Sequence, residues 1–288
     1  TKLSPAEKSQ MARKPTENGD AYLAFVQAHN LFGALEDPEK RKQSEQLYAR
    51  AIQLDPTFAL AIARYSQLES WIVHTFERTT ERREKARALA QQALQLQPDL
   101  PEAHLAMGFS LYYGDNDFEA ALKEFEIAQR ELPNEAEVYL AIGAIQRRMG
   151  KWQESTASLE KAAILNPKDG FVFQNLAFNY QMLRNFDAAN KAIERGLKVN
   201  PEGIGLWETK AKLAVAEKGD FSVSEQAFEA AKSIPMNDET KLRIAGARAD
   251  VFILERKYKE GLREAEKVSD NLLTGIPTAL CGKYYLVG

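Results

Sequence analysis

Residues 136–169 read AEVYLAIGAIQRRMGKWQESTASLEKAAILNPKD, and residues 170–203 read GFVFQNLAFNYQMLRNFDAANKAIERGLKVNPEG. Set one above the other, Tyr139 answers Phe173, Ile142 answers Leu176, Gly143 answers Ala177 and Trp152 answers Phe186. Further along, Leu159 answers Ile193, Ala162 answers Gly196 and Pro167 answers Pro201. The closing proline recurs outward in both directions, as LDP at Pro56, LQP at Pro98, ELP at Pro133 and SIP at Pro235. The successive separations are 42, 35, 34, 34 and 34 residues. A period near 34 is the signature of a helix–turn–helix repeat that stacks into a solenoid.

The apolar positions within each period fall three and four residues apart, which places them on one face of a helix. Tyr139, Ile142 and Gly143 predict a first helix, and Gly150 with Trp152 marks a turn. Ser155, Leu159 and Ala162 predict a second helix, closed by Pro167. Small residues (Gly143, Ala162, Ala177, Gly196) recur where two backbones must approach. Trp152, Phe186, Leu159 and Ile193 are expected to fill the space between neighbours. One helix pair cannot bury its own apolar stripe, whereas stacked pairs can.

This pattern resembles the tetratricopeptide repeat over nearly the whole chain. The resemblance implies an all-α fold, a right-handed superhelical solenoid of about seven units plus a partial eighth. The units run over residues 20–56, 57–98, 99–133, 134–167, 168–201, 202–235 and 236–270. A linker or short helix over 1–19 precedes them, with a helix start at Ser4-Pro5, and 271–288 reads as the first helix of a further unit. The second unit's eight extra residues are expected near Thr75 to Arg83, in its helices or the turn between them. The third carries one additional residue in the turn around Tyr113 to Asn116. Ser222 and Glu225 read as a capping box for the second helix of the sixth unit.

Leu3-Ser4-Pro5-Ala6-Glu7-Lys8 and Lys14-Pro15-Thr16-Glu17-Asn18, followed by Ala21-Tyr22, are similar to a junction in multidomain bacterial signalling proteins. There the junction precedes a tetratricopeptide array and follows a class III nucleotide cyclase, a Ser/Thr kinase or a winged-helix domain, often with a TolB-like segment. The resemblance implies a regulatory fragment of a longer chain. It implies a cytoplasmic setting, or a periplasmic one if a transmembrane segment precedes the array. The apolar ending Tyr284-Tyr285-Leu286-Val287-Gly288 agrees with a fragment, or with an end unit covered by a partner or a second copy.

The chain is 44% hydrophobic and 27% charged, with a net charge of −3 and both signs interleaved. No basic stripe of the kind nucleic acids require is present. The longest apolar runs are interrupted by charged or amide residues, so no membrane insertion is expected. Catalysis, a metal and a cofactor find no support. His29, His74 and His104 fall in three different units without ligand-spaced companions. Cys281 is the single cysteine and has no base beside it. Gly203-Ile204-Gly205 follows no strand and reads as a plain turn rather than a phosphate cradle.

What remains is binding. In tetratricopeptide arrays the first helix of each pair lines a concave groove. Read off by register, the groove positions are Phe25, His29 and Phe32, then Gln67, Ser70 and Trp71, then Leu105, Phe109, Tyr112 and Tyr113. Arg147 and Arg148 follow, then Gln174, Phe178, Gln181 and Met182, and last Glu208 and Lys212. Aromatic anchors beside arginines and amides suit an extended peptide or an amphipathic helix. The Lys/Asn set used by domains that grip chaperone tails is missing from this register. The expected function is a protein–protein interaction scaffold with a protein or peptide partner. The alternative is a homodimerisation module without a peptide ligand.

Overall fold

The computed structural model describes residues 14–35, 37–234 and 238–269. Expectations for the rest of 1–19 and for 271–288 lie outside the described residues. Among the described residues the chain is helical throughout, with no strand. The helices are α1 (Gly19–Asn30), α2 (Pro38–Leu54), α3 (Ala59–Thr75), α4 (Thr80–Leu96) and α5 (Pro101–Phe109). They continue as α6 (Phe118–Glu131), α7 (Ala136–Arg148), α8 (Trp152–Leu165), α9 (Gly170–Met182) and α10 (Phe186–Val199). The remaining four are α11 (Ile204–Lys218), α12 (Phe221–Ala231), α13 (Asp238–Leu254) and α14 (Tyr258–Ser269). They pair in chain order, α1 with α2 through α13 with α14. The fold class is an all-α helical repeat, as the proline period implies.

The turns are written in short polar residues. Asn18, Asp37, Asp117, Asp169, Asn185 and Asp220 each accept a backbone N–H of the helix they precede, and Thr79 does the same through its hydroxyl. Such caps satisfy donors that a helix start leaves open. At α12 the cap is Asp220, which accepts from the Ser222 and Val223 amides, while Glu225 pairs with Arg248 instead. The capping box read from Ser222 and Glu225 is therefore corrected: the shorter Asp220 side chain already occupies those donors. The prolines have a partner as well. Tyr139 donates its hydroxyl to the Pro133 carbonyl at 3.0 Å, and Trp207 donates its indole N–H to the Pro201 carbonyl at 2.9 Å. His104 reaches the Pro98 carbonyl at 3.0 Å by the same six-residue step. A side chain on each of these first helices thus fastens the end of the preceding pair.

The two irregular units resolve differently. In the second, α3 and α4 each run 17 residues, against 13 for α7 and 14 for α8. The extra length lies in both helices and in a slightly longer turn. In the third unit the additional residue does not sit in the turn. It widens the end of the first helix into a π-helical segment, Ser110–Asp115, that closes on Asn116 in the left-handed region. A π segment is rare and usually marks a one-residue insertion that the helix has absorbed.

The chain divides into two compact bodies, one ending at Leu165 and one beginning at Asn166. In the first, Phe25, Tyr48, Phe58, Leu68 and Ile72 form one buried cluster, and Leu105, Tyr112, Phe125, Val138 and Ile145 form another. In the second, Ala211, Phe228, Ile244 and Val251 gather between α11, α12 and α13. Leu159 and Ile193 are buried, but Trp152 and Phe186 are only half-buried, because the first residue of a second helix sits at the rim of its pair.

Candidate interaction surface

The first helices of the first body are α1, α3, α5 with its π extension, and α7. The N-terminal parts of α3, α5 and α7 are joined by charge. Arg64 on α3 donates to Glu137 on α7 at 2.6 Å and to Gln67 at 2.8 Å, and Glu102 lies close enough to act on the same guanidinium. Burial raises the Glu102 carboxyl above its ordinary range, with Arg64 pulling the other way. His29 of α1 feels Arg64 and Glu137 as well, so four helices contribute to one polar face.

The C-terminal parts of α3, α5 and α7 carry an aromatic stack. Tyr113 stacks on His74 at 4.2 Å between ring centroids and on Tyr112 at 4.3 Å, and Phe109 lies parallel to Tyr113 at 5.8 Å. Tyr112 also meets Phe118 edge-on, and its hydroxyl accepts from Arg148 Nε at 3.0 Å. The π segment makes this possible. An α-helix turns about 100° per residue, so consecutive side chains diverge, whereas the widened turn brings Tyr112 and Tyr113 face to face. Burial, followed by the charges of Arg78 and Arg148, pushes the His74 ring down to about 4.

That shift sets a pH expectation. Unfolded, His74 protonates near pH 6.5, whereas folded it does not until about pH 4, so stability is lost as pH falls across that window. For a partly open ring the loss is about 2 kcal/mol. His74→Phe keeps the stack and removes the proton site. Thermal unfolding of both proteins between pH 7 and pH 4 should give curves that separate towards low pH, the parent falling below the variant, and parallel curves would rule this out. His104 moves the other way: Glu124 at 2.7 Å and the Pro98 carbonyl both favour its charged form.

The first helices of the second body have a different character. Phe171, Phe178 and Met182 on α9 are 58%, 42% and 51% exposed. Spacings of seven and four residues place them along one side of the helix. On α11 and α13 the face is ion-paired, with Glu208 bound to Arg243 at 2.9 Å and Lys212 to Asp250 at 3.1 Å.

The residues read as groove positions therefore separate. Phe32, Trp71, Phe109, Tyr113, Arg147, Arg148, Gln174, Phe178 and Gln181 are exposed or half-buried, and His29 is exposed. Phe25 and Tyr112 are instead core residues, packed on Phe58 and Phe118 respectively, and Gln67 is buried beneath Arg64. Ser70 and Leu105 are buried as well, and these five are corrected to structural positions. Gln174 lies over Gly205, where a Cβ would meet its amide. Lys212 is committed to Asp250. Arg64, Glu102, Glu137 and His74 were missed. Each belongs to a first helix, and only their spatial meeting marks them. Among the described residues no group of three metal-ligating side chains occurs, and no helix is long and apolar enough to cross a membrane.

No protein-family model matches the sequence, and no curated protein is significantly similar to it. Solved structures do match. A tetratricopeptide repeat protein from Parabacteroides merdae is 13% identical with a TM-score of 0.61, covering 92% of this chain and 98% of that one. PilF of Pseudomonas aeruginosa is 16% identical with a TM-score of 0.55, covering 78% and 97%. The human IFIT1 dimer, solved with m7Gppp-AAAA, is 14% identical with a TM-score of 0.76, and this chain spans 61% of its length. The fold is that of the tetratricopeptide repeat proteins.

Proposed function

We propose that this chain is a protein-interaction module that takes up a segment of a partner protein, a peptide or a helix, in the groove lined by its first helices. The observation that carries the reading is the exposed stripe of Phe171, Phe178 and Met182 on α9. Large apolar side chains aligned on a first helix are what an amphipathic partner segment would cover. Among the described residues no group of three metal-ligating side chains occurs, and the reading is one of binding. The junction similarity around Pro15 and Tyr22 supports a regulatory place in a larger bacterial signalling protein, cytoplasmic, or periplasmic if a transmembrane segment precedes the array. The competing reading is homodimerisation, favoured by exposed Leu254, Tyr258 and Leu262 on the last described pair.

Peptide display against the purified chain tests the first reading. Selected segments should bind Phe178→Ala with affinity weaker by about 2 kcal/mol, while the melting temperature stays close to that of the parent because the ring is surface-exposed. Unchanged affinity in Phe178→Ala and in Met182→Ala would move the site away from α9. A mass that doubles with concentration, and that Tyr258→Glu returns to the monomer, would instead favour homodimerisation.

A further inference from the structure

The first body's face has opposite chemistry at its two ends. At the N-terminal end, the carboxylates of Glu102 and Glu137 sit in the first turns of α5 and α7, and Glu137 is matched by Arg64. At the C-terminal end stand His74, Tyr112, Tyr113, Arg147 and Arg148. The charges that act on His74, Tyr113 and Arg148 come from other arginines and from tyrosines, and none is a carboxylate. The C-terminus of α7 supplies only about half a negative charge, less than the Arg148 guanidinium carries.

The geometry is also prepared. Tyr112 is buried, with its ring fixed against Phe118 and Tyr113, and its hydroxyl accepts from Arg148 Nε. That bond uses Nε and leaves the other two nitrogens of the guanidinium, on an exposed side chain, without a hydrogen bond among the described residues. The Tyr113 hydroxyl, on the ring that stacks directly on His74, has no hydrogen-bond partner among the described residues. A forked guanidinium oriented by a buried hydroxyl, with a second hydroxyl beside it, matches the two oxygens of a carboxylate. The π segment places both tyrosines there, and such segments persist where they serve a site.

We propose that Arg148, oriented by Tyr112 and joined by Tyr113, receives an acidic side chain of the bound partner segment. This rests on the reading of the chain as a segment-binding module and names the chemistry it selects. A single carboxylate fits because the positive patch is short. A nucleic acid would carry its phosphates on towards Glu102 and Glu137, where they are repelled.

The test is retention of two degenerate pools of short peptides by the immobilised full chain. One pool has a fixed Glu among random neutral residues, and the other has Gln in its place. The Glu pool should be retained about tenfold better, and the preference should weaken with salt. Arg148→Gln should abolish the preference, and Arg148→Lys should restore only part of it, since an ammonium carries the charge without the fork. Tyr112→Phe, which removes only the orienting hydroxyl, should reduce the preference about threefold. Should Arg148→Gln fail to fold, Tyr112→Phe and Tyr113→Phe give the same readout. Equal retention of the two pools overturns the carboxylate receptor while leaving the module standing, and retention of neither overturns both. Arg148-dependent retention of a 5′-triphosphorylated RNA, with no preference between the peptide pools, overturns it in favour of a nucleic acid.

Discussion

Arg82→Ala will lower the stability of the first body by about 3 kcal/mol, the cost of taking from a buried carboxylate one of its two charged partners. That carboxylate is Glu69, whose side chain is 0% exposed and is gripped by Arg82 at 2.8 Å and Lys85 at 2.6 Å. Arg82 also reaches Glu45 on α2 and Glu77 in the α3–α4 turn, both at 2.7 Å, so one guanidinium binds three consecutive elements. Lys85 remains in the variant but is more exposed and offers only a point charge. The prediction separates a charge effect from lost packing. Adding Glu69→Gln to Arg82→Ala should return a large part of the loss, because the orphaned charge is gone. Denaturant titration of the three proteins checks it. If the double variant is no more stable than Arg82→Ala, the network is not what holds α3 to α4.

Phe125→Ala should cost about 3–5 kcal/mol, the range for emptying a fully buried aromatic site. Phe125 lies wholly inside the first body on α6, and its ring rests directly on Gly108 of α5. A Cβ at Gly108 would come within 2.3 Å of that ring, so Gly108→Ala is expected to overpack the same contact by about 1–3 kcal/mol. The two changes are not independent. In the presence of Gly108→Ala, Phe125→Leu should cost less than it does alone, since the added methyl takes up part of the vacated space. Urea melts of the four proteins in this cycle supply the coupling. Strict additivity would mean that the ring and the glycine do not share a site.

The same contact shows why the repeat was legible in the sequence. Gly108 and Gly143 stand 35 residues apart, each under a large side chain of its second helix, and no other residue fits so close an approach. Prolines, glycines and caps obey local rules and announce themselves. The candidate surface was only partly legible. The proline count showed one surplus residue in the third unit, but a turn and a π segment absorb a residue equally well by count alone. Once the surplus lies inside the helix, the downstream side chains rotate, and Tyr112 goes into the core while Tyr113 stays at its rim. His74, Arg64 and Glu137 acquire their meaning only from partners 39 or 73 residues away, a distance no helical periodicity spans.

Arg64 and Glu137 lie on α3 and α7, with the whole α5–α6 pair between them in sequence. A stack of repeats behaves as a spring whose compliance is shared among nearest-neighbour joints. A link that skips one coil turns three pairs into a single stiff segment. Bending that segment, or fraying it coil by coil from one end, requires the bridge to release first. The spring therefore carries a built-in stop, and flexing within the first body falls on the coils outside residues 64–137.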